Sequence, residues 1–316
     1  VTPKQRIEAL EQMLLIRAHE EAAVALQGAG KAGGTCTAVG QEASAVGVVM
    51  ALTENDQILT NHRSIGHLLA RGADPRRTMA EILGRQDGYC AGKSGSLHIS
   101  ARELGVVLTS TIVGGELGLA TGVALSRKML GQPGIVACFF GDGAACEGRF
   151  HESLNLAAVW ELPVLYVCEN NHWQAFVHRR ETMLVESITA HAPAHGVESN
   201  AVDGNDVEAV HDAASAAIAH IRKTGRPYLL ETVTYRLRGH YEPDDQSYVD
   251  PQELAHWRAR DPILLLKRKL DGEGVLDAAG QQRMEQRVRR RIEEAVGFAE
   301  ANPYPSLDAL TTDVYA

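Results

Sequence analysis

Two continuous apolar runs, residues 134–140 (GIVACFF) and 163–168 (PVLYVC), constrain the fold of this chain more than any other feature. Neither alternates with polar residues, so each reads as a strand buried on both faces, the pattern of a parallel sheet covered by helices. Residues 149–160 between them have helical periodicity and supply the crossover. The same alternation extends outward. Residues 4–27 repeat apolar positions at helical steps, 41–52 read as a second, mostly buried helix, and Asp56 begins a short strand candidate that ends at Thr60. Residues 64–72 and 75–85 read as helices, and a weakly periodic stretch rich in Gly, Ser and His runs from Gly84 to Gly115. Stretches of that length inside a compact domain are usually functional. Residues 117–130 and 206–223 read as helices and 228–236 as a further strand. From Gln252 onward the chain is charged and helical. The expectation is an α/β fold over residues 1–250, a central parallel sheet with helices on both faces, with residues 251–316 as a helical C-terminal extension of the same domain.

The totals exclude several classes. With 316 residues and 45% apolar content, a large core can be buried without staples. A formal charge of −9 argues against a nucleic-acid binder. Neither an apolar run of membrane-spanning length nor a signal-like start is present, so no membrane association is expected. The five cysteines (Cys36, Cys90, Cys138, Cys146, Cys168) are scattered and read as reduced thiols of a cytoplasmic protein.

The informative stretch is GDGAACEGRFHESLNLAAVWELPVLYVCENNHW, residues 141–173. The first strand ends at Gly141-Asp142-Gly143 and the second at Glu169-Asn170-Asn171. If the strands are parallel neighbours, Asp142 and Asn171 emerge side by side at the carboxyl edge of the sheet, where open α/β sheets bind ligands. A carboxylate and an amide oxygen are hard donors that suit Mg²⁺, which completes its octahedron with phosphate oxygens and water. Gly141 and Gly143 allow the backbone to approach a diphosphate closely. The Trp173 carbonyl could supply a third oxygen. Alone, GDG reads as an ordinary turn and ENN as a strand end; their joint occurrence, with strand, helix and strand between, is the specific signal.

That signal is the thiamine-diphosphate fingerprint, and the chain resembles the α-subunits of pyruvate, branched-chain 2-oxo acid and acetoin dehydrogenases. The resemblance runs nearly the whole length: AVGQEASAVGV (38–48), TNHRSIGHLLARGAD (60–74), GKSGSLH (92–98), TIVGGELGLATGVAL (111–125), TYRLRGHYEPDD (234–245) and RARDPILLLKRKL (258–270). It implies that Asp142, Asn171 and the Trp173 carbonyl bind Mg²⁺. It implies that His62 and Arg63 contact the diphosphate, that Thr111 and Val113 touch the aminopyrimidine, and that His240 approaches the diphosphate and the reacting centre as the catalytic histidine. The implied cofactors are thiamine diphosphate and Mg²⁺. The implied partner is a β-subunit that supplies the activating glutamate, in an assembly of two α and two β chains. The implied reaction is decarboxylation of a 2-oxo acid, or acetoin cleavage, with acyl transfer to a lipoyl carrier on an acyltransferase. Two other readings stay open: a carboligase using the same cofactor without a lipoyl partner, and a non-catalytic scaffold.

Three departures from the family pattern bear on the substrate. Cys36 stands where many pyruvate and acetoin relatives carry histidine, which questions substrate more than fold. Tyr241 follows His240 where mitochondrial relatives carry a phosphorylated serine, and a tyrosine there would narrow the site. Residues 173–176, with Trp173, Gln174 and Phe176, would reshape the channel mouth. Two lookalikes carry no function. The literal GxGxxG of residues 28–33 follows a helix rather than a strand. His191 and His195 have Pro193 between them and read as a surface loop, not a zinc site.

Overall fold

The computed structural model describes residues 1–313. The chain runs α1 (Pro3–Gly28), α2 (Glu42–Ala51), β1 (Gln57–Asn61), α3 (Ile65–Ala70), α4 (Pro75–Ile82), β2 (Val106–Ser110), α5 (Gly115–Met129), β3 (Val136–Gly141), α6 (Gly148–Val159) and β4 (Val164–Asn170). A two-stranded hairpin follows, β5 (Trp173–Gln174) and β6 (Val177–His178), then β7 (Glu198–Asp203), α7 (Val207–Thr224), β8 (Tyr228–Val233), α8 (Pro251–Ala259), α9 (Pro262–Gly272) and α10 (Ala278–Ala301). Six strands form one parallel sheet in the order β2-β1-β3-β4-β8-β7. The α/β sandwich expected from the apolar runs is therefore present.

Alternate residues of the central strands feed two cores, as the period of a strand requires. Phe139, Leu165 and Val167 pack with α1, α2 and α7 through Leu10, Val46 and Val210. Phe140, Tyr166 and Cys168 pack on the opposite face with α5 and α6 through Leu117, Phe150 and Leu154. α2 lies close on α7: a Cβ at Gly47 would come 2.7 Å from Val210 Cγ1 and 2.9 Å from the Val207 carbonyl oxygen. α10 folds back on α1 and α4, with Ile292 against Leu15 and Ala299 near Leu26 and Met79. Arg287 pairs with Glu11 at 3.0 Å across that contact. Among the described residues, no helix is long and apolar enough to cross a membrane.

Four sequence expectations need correction. The strand begins at Gln57, not Asp56, whose buried carboxylate instead accepts the N–H groups of Thr53 (2.7 Å) and Ile135 (2.8 Å) and pairs with Arg222. The stretch from Gly84 to Gly115 contains strand β2, hidden because an edge strand buries only part of its length. Strand β7, at the other edge, is mostly exposed and gave no apolar signal at all. His191 and His195 are not on a loose loop. They sit in a 3-10 segment, Ile188–His195, packed on α6, with His195 Nε2 3.2 Å from His151 Nδ1. Among the described residues no group of three His, Cys, Asp or Glu side chains is arranged to hold a metal.

Candidate active site

The sheet reverses its strand order between β1 and β3, because the chain goes outward from β1 to β2 and then returns to the other side. Crevices at such reversals, outside the carboxyl ends of the strands, are the ligand sites of open α/β sheets. A cavity of about 250 Å³ lies there. It is lined by all ten residues assigned a metal or cofactor role from the sequence: His62, Arg63, Thr111, Val113, Gly141, Asp142, Gly143, Asn171, Trp173 and His240.

The pairing of β3 with β4 explains the central two. Gly141 is in register with Glu169, so Asp142 and Asn171 follow from the ends of adjacent strands. After Gly141 the chain enters a short 3-10 turn, Asp142–Cys146. Asp142 is 1% exposed, and its Oδ2 is buried with no hydrogen-bond partner. Burial pushes its carboxyl up to about 6, against the pull of backbone N–H groups and of Arg179 and Arg236. A buried carboxylate oxygen left bare is costly unless a cation meets it. Asn171 is oriented from both ends: Nδ2 donates to Gln41 Oε1 at 3.1 Å and Oδ1 accepts the Trp173 N–H at 3.1 Å. An amide oxygen has a second lone pair to offer. Space for a Cβ at Gly141 is open, so the backbone there is bare toward the cavity. This donor set of carboxylate, amide oxygen and backbone fits Mg²⁺ on a diphosphate.

The two other residues of the ENN run hold the frame. Glu169 accepts from Ser44 Oγ (3.1 Å) and sits 3.0 Å from His67 Nε2. Asn170 donates to Glu231 at 2.7 Å. The hairpin after Asn171 turns at His172 and Ala175, with φ of 69° and 54° in the left-handed region that glycine favours. The indole N–H of Trp173 donates to the Tyr235 hydroxyl at 2.8 Å and anchors the hairpin.

The positive side of the cavity comes from the β1 end and the β8 end. Arg63 donates to the Thr37 carbonyl (2.6 Å), the His240 carbonyl (2.8 Å) and His240 Nδ1 (3.2 Å). Arg236 donates to the same Nδ1 (3.3 Å), to the Ala175 carbonyl (3.0 Å) and to the Tyr248 hydroxyl (3.0 Å). Guanidinium groups only donate, so Nδ1 must accept and the neutral ring carries its proton on Nε2. Burial and the two guanidinium charges push His240 down to about 4, with Asp244 opposing. Burial, Arg63 and His240 likewise push His62 down to about 3, and its buried Nε2 is unpartnered. Among the described residues neither Arg63 nor Arg236 pairs with a carboxylate, which leaves two buried cations facing a site suited to an anion.

Residues 36, 176 and 241 do not line the cavity. Cys36 is half-buried near Arg63 and Arg236, and burial pushes its thiol up. Tyr241 is exposed at the rim, so it does not narrow the interior as the sequence suggested. It stands edge-on to Phe176 at 6.3 Å, and Phe176 in turn faces His240 at 5.4 Å. Gln41, Asn61, Arg236 and Glu116 line the cavity and were not singled out beforehand. All four lay in quoted motifs, but nothing in their spacing separated them from neighbours.

Comparison with known proteins gives the family. The family model described as dehydrogenase E1 component matches residues 10–308. The chain is 44% identical over 277 residues to the alpha subunit of acetoin:2,6-dichlorophenolindophenol oxidoreductase from Bacillus subtilis (strain 168), covering 87% of this chain and 83% of that one. The corresponding subunit from Cupriavidus necator is 40% identical over 277 residues, with the same coverage of 87% and 83%. The pyruvate dehydrogenase E1 component subunit alpha of Rhizobium meliloti (strain 1021) is 37% identical over 310 residues, covering 98% and 89%.

Proposed function

The chain belongs to the dehydrogenase E1 component family, among the α-subunits of 2-oxo acid and acetoin dehydrogenases, and on that premise we propose that it binds Mg²⁺-thiamine diphosphate in the cavity at the β1–β3 reversal. The observation that carries this reading is the pairing of Asp142, with its bare buried oxygen, and Asn171 on adjacent strand ends. Asp142, Asn171 and the Trp173 carbonyl would hold the metal. Arg63, His62 and His240 would hold the diphosphate, and Gly141 and Gly143 would let the backbone come close. Thr111 and Val113 would meet the aminopyrimidine. When bound, thiamine diphosphate supplies the carbon nucleophile for cleavage of a 2-oxo acid or acetoin. The protein's share is positioning and proton control. His240, neutral and protonated on Nε2, would donate a hydrogen bond into the site.

A β-subunit is proposed to complete the site and to supply the activating glutamate, in an assembly of two α and two β chains. The exposed apolar side chains Ile112 (61%) and Val113 (53%) on the cavity wall, and Leu119 (51%) in the adjoining groove that Ile112 also lines, support a partner surface there. The acyl product is proposed to pass to a lipoyl carrier. Residues 251–316 are read as an extension of the same domain, which the packing of α10 on α1 and α4 supports.

The test is reconstitution with a β-type chain, thiamine diphosphate and Mg²⁺. Reduction of 2,6-dichlorophenolindophenol is followed with pyruvate, a branched-chain 2-oxo acid or acetoin as donor, alongside acylation of a lipoyl domain. Activity is expected only with both chains present. Decarboxylation or acetoin cleavage by this chain alone would contradict the shared-site reading.

A further inference from the structure

The metal and diphosphate contacts proposed for the cavity leave one acidic group on its wall unused. Glu116 stands in the first turn of α5, is 2% exposed, and lines the same cavity as Asp142. Its Oε2 is buried and hydrogen-bonds to nothing. A carboxylate at a helix N-terminus is ordinarily kept ionised by the backbone N–H groups and the helix dipole. Here burial outweighs the pull of its own backbone N–H and pushes the carboxyl up to about 8. At neutral pH the group is therefore a carboxylic acid, with an O–H donor that needs an acceptor.

The surroundings supply no other explanation. α6 and the residue before it bring Glu147, beside Gly114, and exposed Arg149 and Glu152 along an outer groove with Gly115 and Gly118. β3 brings the buried Cys138 thiol and β4 the buried Tyr166 hydroxyl, which is engaged with Thr121. β1 and β2 carry no titratable side chain. His62, Arg63, Asp142, Arg236 and His240 share the cavity.

We propose that Glu116 is a further cofactor-binding residue that works as a neutral acid, donating a hydrogen bond from the cavity wall to an acceptor atom of bound thiamine diphosphate. This rests on the reading that the cavity takes that cofactor, whose phosphate oxygens and pyrimidine nitrogens are acceptors. Ionised Glu116 would set one acceptor against another and add an anion beside the diphosphate, so binding should weaken as pH rises.

Calorimetric titration of the chain assembled with a β-type chain, using thiamine diphosphate and Mg²⁺ at intervals from pH 7 to pH 9, tests this. In the wild type the affinity is expected to fall about 10-fold across that interval, the ratio for a site closed by one ionisation near 8. Glu116→Gln keeps an N–H donor at every pH and is expected to give a flat profile near the wild-type affinity at pH 7. Glu116→Ala, with nothing to donate or titrate, is expected to bind more weakly and with a flat profile. A flat wild-type profile, or a Glu116→Gln profile as steep as the wild type's, would overturn the inference while leaving the proposed function standing. Absence of binding at every pH would remove the proposed function, and this inference with it.

Discussion

Two guanidinium groups share one imidazole nitrogen, and that contact organises the positive half of the site. Arg63 and Arg236 both reach His240 Nδ1, from the β1 end and from the segment after β8. Each also holds backbone carbonyls that a lysine could not span together, Thr37 and His240 for Arg63, Ala175 and Arg238 for Arg236. Lysine is a single point charge without the planar fork, so Arg63→Lys should lower the affinity for Mg²⁺-thiamine diphosphate by about 10- to 100-fold. Calorimetry at fixed pH checks it, and unchanged affinity would remove Arg63 from the diphosphate site. At this scale the sequence was legible where residues belong to a spaced motif. Asp142, Asn171, His62, Arg63 and His240 all arrived at one cavity. Arg236 and Gln41 were not legible, because their roles depend on which backbone carbonyl or amide they meet across the fold. Glu116 was hidden in another way: a lone acid at a helix start reads as a solvated cap, and only its burial shows otherwise.

Elements buried on both faces were read correctly, and elements at the sheet edges were not. β3 and β4 carry apolar side chains to both cores, so their sequences leave no polar alternation to confuse the pattern. β2 and β7 close the two edges: β2 (VVLTS) follows a long Gly-, Ser- and His-rich stretch that masks it, and β7 (ESNAVD) is mostly exposed and resembles a loop in composition. Segments 38–48 and 258–270 lie far apart in the sequence. Arg17 joins them, pairing with the buried Glu42 and with Asp261 at 2.9 Å. The small residues of α2 have a similarly local cause, since Gly47 lets the helix settle on Val207 and Val210 of α7. Gly47→Ala should force these helices apart and cost about 1–3 kcal/mol, the usual range for overpacking. Denaturant unfolding measures it, and wild-type stability would show that the contact yields freely.

The whole molecule is a sheet whose carboxyl edge holds a charged cavity with an apolar rim. The cations Arg63 and Arg236, the bare Asp142 oxygen and the exposed Ile112, Val113 and Leu119 lie on that one side. Such a surface is suited to an anionic cofactor shared with a second chain. Leu119→Glu should leave folding intact, because the side chain is half exposed, and should prevent assembly with a β-type chain. Light scattering after co-expression reads this, and a complex of wild-type size would count against the rim as the partner surface. The central claim is that Asp142 and Asn171 hold Mg²⁺ against thiamine diphosphate. Its most direct measurement is calorimetry of wild-type chain and Asp142→Ala, each assembled with a β-type chain, with thiamine diphosphate in the presence and absence of Mg²⁺. The account predicts Mg²⁺-dependent binding in the wild type and none in the variant. Equal affinity in the two proteins, or wild-type binding indifferent to Mg²⁺, would contradict it.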